Sequence, residues 1–286
     1  MKPTVLALLL SLAALKTPVH SQAALNQEEI GAFSCGPCAI VNSLRFATDD
    51  RWKAALEGLK GATPKEKVED LIKRYGSKPS VSYAPPKTLY GADRGSSPLD
   101  IVTCMNALFD DHDLPRLEGT FLDIAAEESG SQHLRRVHEG MKRTLDSGLP
   151  VLLSLRSFGT TFDEVNGRFI WEGLFGHFVT IIEVQDALET TEKGFRFVYI
   201  DSDESEGQRQ HGYLHVEQNR AFWAKKGDAE RWEGLNGFPF LMVTAPSLAM
   251  GLPHSSWHTR TYVMANYAAF VPHSTEENGG ASGEDR

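Results

Sequence analysis

The chain has 286 residues, 41% of them hydrophobic, which is enough for one large domain or two modest ones with a buried core. Its formal net charge is −9 and its basic residues form no dense stripe, which argues against nucleic acid or an anionic membrane as the partner. Three cysteines are an odd number, which excludes a framework of disulfides alone and leaves at least one free thiol.

The first 23 residues have the three parts of a secretory signal peptide. Lys2 is the charged part, residues 5–15 are an apolar run, and Ser21-Gln22-Ala23 is a small-x-small cleavage site. The apolar run is too short to span a bilayer, and Lys16 interrupts it. We therefore expect a secreted or periplasmic protein with one domain over residues 24–273, and an uncleaved N-terminal anchor is the alternative.

Four helices are predicted in the first half of this domain. The first covers residues 36–47, with Pro37 in the first turn, where its missing N–H costs nothing. A capping box with Pro at the first helical position begins a second helix, over residues 64–75. Capping and periodicity also predict helices over residues 97–109 and 131–146, and the Pro- and Gly-rich segment 77–95 is predicted to be a long loop.

After Gly148 the hydrophobic period changes from that of helices to that of strands. Helices first and strands second indicate the α+β class. The tail over residues 274–286 is rich in Gly, Ser and Glu and is predicted to be disordered. Strands are predicted over residues 150–156, 168–171, 178–184, 195–200, 212–216 and 238–243.

A thiol lies at the expected start of the first helix, in the sequence Ser34-Cys35-Gly36-Pro37-Cys38. The N–H groups of a first helical turn are unpaired and the macrodipole is positive there, so this place favours a thiolate. Gly36 would let a substrate carbonyl approach the backbone closely. Cys35 is therefore a candidate nucleophile, which requires a base nearby.

A candidate base and its orienting group lie in two consecutive predicted strands. His177 begins a β-branched strand, and Asp201 ends the next strand along the chain. If the two strands pair as a hairpin, Asp201 lies at the same end of the sheet as His177 and accepts a hydrogen bond from its ring. We therefore expect Cys35, His177 and Asp201 to form a catalytic triad, with Asp203 as a substitute for Asp201.

These blocks of sequence resemble the papain-like cysteine peptidases of the bacteriocin-processing (double-glycine leader) type. The resemblance implies an α+β, papain-like fold in which a helical part with the Cys helix packs on a C-terminal antiparallel sheet. It also implies that Cys35 is the nucleophile, His177 the base and Asp201 the orienting acid. The blocks that carry it are Cys35-Gly36-Pro37, the helix–Gly–Pro–strand segment 145–153, the Gly-His-aromatic-Val strand 176–179 and the acid at 201, within residues 27–243.

The sequence departs from this family at the oxyanion hole. The family has a Gln about six residues before the nucleophile, where this chain has Glu29. The nearest Gln is Gln27, which a small change in the loop would bring into place. Gln27 is therefore the candidate oxyanion donor, whereas Glu29 would indicate a lost oxyanion hole and a catalytically inactive binding module.

Cys38 leaves two further interpretations open. It is either a buried core cysteine or the partner of Cys35 in a reversible disulfide that masks the nucleophile. The Cys-Gly-Pro-Cys sequence also matches the redox motif of thioredoxin-like oxidoreductases, although no apolar strand precedes it and no matching cis-proline segment follows it. Cys104 is predicted to belong to the core.

The sequence thus predicts an exported cysteine peptidase-like hydrolase that cleaves peptide or amide bonds through an acyl-enzyme. The resemblance is equally compatible with amidase or γ-glutamyl transfer chemistry. The expected partner is a peptide or protein substrate, with no nucleic acid, and no membrane beyond an uncleaved anchor. No cofactor and no metal site are predicted, because the paired histidines lack acid or Cys partners at metal-ligand spacing.

Overall fold

The computed structural model describes residues 25–125, 127–188, 193–203, 209–216, 222–225, 232–235, 241–245, 248 and 260–273. The expected signal segment and the C-terminal tail lie outside these residues. The described chain is α+β, with helices mainly in the first half and an antiparallel sheet mainly in the second. No helix within these ranges is both long and apolar enough to cross a membrane.

All four predicted helices are present, and their starts follow from local capping. Thr63 and Ser129 form capping boxes, and the Ser97 hydroxyl accepts from the N–H of Asp100. One short polar helix, α2, was not predicted. The helices are α1 (Cys35–Arg45), α2 (Asp50–Glu57), α3 (Pro64–Leu71), α4 (Pro98–Asp110) and α5 (Gly130–Asp146), with a 3₁₀ turn at Gln27–Glu29 and a π-helical turn at Ile72–Gly76 that continues α3.

The predicted strands are present, but two of them are one continuous strand, β3. Those two predictions were wrong as separate strands, because the glycine-containing segment between them is paired with β2 in one long hairpin. Residues 238–240 of the last predicted strand lie outside the described residues. The strands are β1 (Glu118–Phe121), β2 (Val151–Asp163), β3 (Arg168–Val184), β4 (Gly194–Asp201), β5 (Gln210–Val216), β6 (Phe222–Lys225), β7 (Trp232–Leu235), β8 (Leu241–Thr244) and β9 (Arg260–Phe270).

Six of these strands close into a ring. Their antiparallel pairings run β2–β3–β4–β5–β8–β9 and return from β9 to β2. The remaining strands extend the sheet from the ring, β1 along β9 and the β6–β7 hairpin along β3. A closed ring leaves no unpaired edge on its own strands and holds each strand in register from both sides.

Alternate side chains of the ring strands belong to two different cores. One set packs with α5 and includes Val179 and Ile181 of β3 and Phe197 and Tyr199 of β4. The other set, which includes Phe178 of β3, packs with α1 to α4. Successive side chains of a strand point to opposite faces, so the sheet separates the two cores.

Helix α1 is buried along almost its whole length against the outer face of β3. The Thr180 hydroxyl donates to the carbonyl oxygen of Ala39 over 3.1 Å, and the Ser43 hydroxyl donates to that of Pro150 over 2.8 Å. A Cβ on Gly36 would lie 2.4 Å from Ile101 Cδ1, so this glycine is needed for packing against α4. The expectation that Gly36 opens the backbone to substrate was therefore wrong.

We expect Gly36→Ala to lower the free energy of unfolding by roughly 1–2 kcal/mol, because overpacking outweighs the gain in helix propensity. Urea unfolding of the variant measures this loss. Ile101→Ala removes the clashing atoms, so the double variant should be more stable than the sum of the two single effects predicts. Strict additivity of the two changes would contradict the packing role of Gly36.

Candidate active site

The start of α1 is free of side-chain capping. The side chain of the N-cap residue, Ser34, accepts no hydrogen bond from the backbone N–H groups of the first turn. Its hydroxyl lies instead 2.7 Å from the carbonyl oxygen of Gly31 and 3.1 Å from that of Gln27, which ties the helix start to the preceding 3₁₀ turn. The first-turn N–H groups beside the half-buried Cys35 are thus left without a side-chain acceptor and are suited to an oxyanion.

The structure brings His177 and Asp201 together at the rim of the ring. Asp201 pairs with Val179 across β3 and β4, which makes His177 its diagonal neighbour on the same face. His177 Nε2 lies 2.6 Å from Asp201 Oδ1, and the two residues are 8% and 3% exposed. Because the carboxylate engages Nε2, the second ring nitrogen is left for Cys35, as the predicted triad requires.

The electrostatic balance at His177 favours a charged ring. Burial lowers its pKa, but the hydrogen bonds and charges of Asp201 and Cys35 outweigh burial and raise it to about 10. An imidazolium between a carboxylate and a thiol is the arrangement that supports a thiolate–imidazolium pair. The ring keeps its proton through neutral pH and loses it only as the pH rises toward that value.

Gln27 also lies in the site, held by residues that follow β4. Its side-chain nitrogen donates to Asp203 Oδ1 over 2.9 Å, and its side-chain oxygen accepts from the Ser202 hydroxyl over 3.1 Å. Its backbone N–H donates to the carbonyl oxygen of Ser202 over 2.8 Å. Glu29 is exposed and does not line the cleft. Gln27, the candidate oxyanion donor, thus lines the same cleft as Cys35.

Cys38 is a free and fully buried thiol one turn after Cys35. Burial raises the pKa of this thiol to about 12, against a weaker opposing effect of its contact with Ser34. It therefore stays protonated, as an ordinary core cysteine does. Cys104 is likewise free and buried, which confirms its predicted place in the core.

Cys35, His177 and Gln27 line one cleft of about 560 Å³ between the helical half and the sheet. Loop residues, among them Tyr83 and Arg94, form one wall, and β2 and β3 form the other. Three aromatic rings at the cleft are exposed by about two fifths or more of their area: Phe33, Tyr83 and Phe175. The cleft also meets Asn266, whose buried Oδ1 has no hydrogen-bond partner in the described structure.

The loop that forms one wall of the cleft is hydrogen-bonded to Asp100, a buried carboxylate in the first turn of α4. Its oxygens accept from the Ser80 hydroxyl over 2.9 Å and from the N–H of Val81 over 2.8 Å. The Ser80 oxygen in turn accepts from the N–H of Tyr83 over 2.9 Å. Arg94 completes the wall by stacking on the Tyr83 ring, 4.7 Å from its centroid.

The residues that sequence reasoning predicted for the triad and the oxyanion hole meet in this cleft. Ser34, Ser202 and Asn266 were missed, and for Asp203 the expected role as a substitute for Asp201 is replaced by a contact with Gln27. Serines and amides are common on protein surfaces, so no local pattern singles them out. Within the described residues, no cluster of His, Cys, Asp or Glu is arranged to hold a metal ion.

Comparison of the chain with protein-family models, curated proteins and solved structures found no match in any of the three. A function for the cleft therefore has to be inferred from its residues and their geometry.

We expect Asp100→Ala to lower the free energy of unfolding by roughly 1–3 kcal/mol, because the Ser80 hydroxyl and the Val81 N–H lose their acceptor. Since the loop then loosens, the backbone amide hydrogens of residues 80–83 should exchange faster with solvent. Urea unfolding and hydrogen exchange measure the two effects. Asp110→Ala, which removes an exposed acid at the other end of α4, is the matched control and should change neither by much.

Proposed function

We propose that this protein is a thiol hydrolase of the cysteine-peptidase type. The observation that carries the proposal is the placement of His177, whose ring is hydrogen-bonded to Asp201 and interacts with Cys35 in the same cleft. A base held in this way, next to a thiol at the uncapped start of a helix, has the parts that nucleophilic catalysis by cysteine needs.

In the proposed reaction the Cys35 thiolate attacks the carbonyl carbon of a peptide or amide bond. The oxyanion that forms accepts hydrogen bonds from the Cys35 N–H and from the Gln27 side chain. The His177 imidazolium then gives its proton to the leaving amine, and a thioester to Cys35 remains. The neutral imidazole next takes a proton from water, which attacks the thioester and releases the acid and the thiolate.

A papain-like fold is part of the proposal. Its support is a buried Cys helix packed against the face of an antiparallel sheet whose strands supply the histidine and the acid. The short sequence blocks that resemble bacteriocin-processing peptidases lie on these same elements. The presence of Gln27 in the cleft, in place of the exposed Glu29, supports an active enzyme over an inactive binding module.

The redox alternative is less well supported. A thioredoxin-like enzyme needs its second cysteine to ionise and exchange disulfides. Cys38 is fully buried, and burial raises its pKa to about 12. A 3₁₀ turn and a short connection, not a strand, precede Cys35. Thiol–disulfide exchange would also leave the hydrogen-bonded pair of His177 and Asp201 without a role.

The proposed substrate is a peptide or protein. Exposed aromatic rings at the cleft, Phe33, Tyr83 and Phe175, are suited to apolar side chains of an extended chain.

Export to the periplasm or beyond the cell is also proposed, on the basis of the signal-like first 23 residues. Cys35 is a free thiol in this structure. In an oxidising compartment the enzyme would therefore stay active only with a reducing agent present or with this thiol protected from oxidation.

We expect iodoacetamide to alkylate Cys35 rapidly at pH 6 in the wild-type protein, because the raised pKa of His177 keeps the ring charged. In His177→Ala the rate at pH 6 should fall, and the reaction should accelerate only at alkaline pH. Mass spectrometry of the labelled peptide over pH 5–10 measures this, with Cys35→Ala as the blank. A profile that does not depend on His177 would refute the triad.

Cys38→Ala separates hydrolysis from redox chemistry. We expect the variant to keep most of its peptide or amide hydrolysis, whereas His177→Ala should lose about 100-fold or more, because it lacks the general base. Insulin reduction and a fluorogenic peptide mixture are measured in parallel on both variants. Loss of a thiol–disulfide exchange activity in Cys38→Ala, with no hydrolysis in the wild type, would favour the oxidoreductase.

A further inference from the structure

Asp203 is an acid at the cleft that the proposed mechanism does not use. It is exposed, it follows β4 by two residues, and it lines the same cleft as Cys35. Its carboxylate oxygen Oδ1 accepts from Gln27 Nε2 over 2.9 Å. A carboxylate that accepts a hydrogen bond from a buried amide group restricts the orientation of that amide.

Building on the proposed hydrolase, we propose that Asp203 is a positioning residue of the oxyanion hole. Its carboxylate fixes the Gln27 amide group so that the second N–H of Nε2 is available to the oxygen of the substrate carbonyl. This role lies outside the triad, and Asp203 itself touches neither the substrate nor the reacting sulfur.

Three contacts together determine the orientation of the Gln27 side chain. The Asp203 carboxylate can only accept, so it must face the amide nitrogen, and the Ser202 hydroxyl, which could donate or accept, then donates to the amide oxygen. The backbone N–H of Gln27 is held by the carbonyl oxygen of Ser202. Among the described residues no second acceptor engages Nε2, and one of its two hydrogens is left for a ligand.

The same short segment, residues 201–203, also orients the base. Asp201 Oδ1 accepts from His177 Nε2 over 2.6 Å and from the N–H of Asp203 over 2.9 Å. The side chains nevertheless have separate tasks, because Asp201 engages the imidazole and Asp203 engages Gln27. Loss of the Asp203 carboxylate therefore removes the restraint on Gln27 and leaves the hydrogen bond between Asp201 and His177 in place.

The test compares two reactions of the same thiolate. Hydrolysis of an amide passes through an oxyanion, whereas alkylation by iodoacetamide displaces iodide at an sp³ carbon and forms none. We expect Asp203→Ala to lower kcat for a fluorogenic peptide about 10-fold or more, with KM little changed, and to leave the alkylation rate and its pH profile unchanged. Asp203→Asn keeps an acceptor for Nε2 and should retain most of the activity.

Further variants show whether Asp203 acts through Gln27. Gln27→Ala should lower kcat by about 100-fold or more, and adding Asp203→Ala to it should cause no further loss. Ser202→Ala, which frees the other end of the amide, should lower kcat without slowing alkylation. Glu29→Ala removes a nearby exposed acid outside the cleft and is the matched control, with unchanged kinetics.

The outcomes separate this inference from the proposed function. Hydrolysis that survives in Cys35→Ala would refute the hydrolase mechanism itself. If Cys35 is essential but Asp203→Ala keeps the wild-type kcat, only the role of Asp203 is overturned. A fall in alkylation equal to the fall in hydrolysis, or multiplicative losses in the double variant with Gln27→Ala, would likewise show that Asp203 does not act through Gln27.

Discussion

The surrounding structure holds the buried hydrogen bond between His177 and Asp201 in place. A carboxylate and an imidazole that are almost fully removed from water must face each other, and each must also find its other partners. The two residues continue the rows of side chains that fill the core next to α5, where the end of β4 lies beside the middle of β3. A shift of one residue between these strands would turn the Asp201 carboxylate to the opposite face of the sheet. The closed ring that fixes their register therefore also fixes the contact between Asp201 and His177.

The approach of the thiol is determined from the other side of the sheet. Helix α1 lies on the face opposite to α5, and its N-terminus reaches the rim because Gly36 allows close packing on Ile101. The Ser34 hydroxyl donates a hydrogen bond to the 3₁₀ turn that carries Gln27, and it does not cap the helix. The helix start, the turn and the end of β4 thus contact one another through short polar side chains, each with a defined partner.

The elements that the sequence predicted are those whose signals are local. Capping residues such as Thr63 and Ser97 mark helix starts, and β-branched runs mark β3 and β4, so α1, α3, α4 and α5 could be predicted, as could the meeting of Cys35, His177 and Asp201 in one cleft. Strand β9 was missed because it is rich in alanine, a residue typical of helices, and it is a strand only through pairing on both sides. Ring closure and the contact of Asp203 with Gln27 join segments far apart in the chain, which no local pattern encodes.

The loop that forms one wall of the cleft contributes no strand to the ring and is held by the contacts around Asp100 and by the buried side chain of Leu89. Residues 81–87 between these two anchors are exposed, and their side chains are consequently under little constraint from folding. The lining of the cleft could therefore change at residues 81–87 while the geometry of Cys35, His177 and Asp201 stays intact. For protein engineering, these exposed positions are a natural site for a library, because variation there leaves the stability of the core almost unchanged.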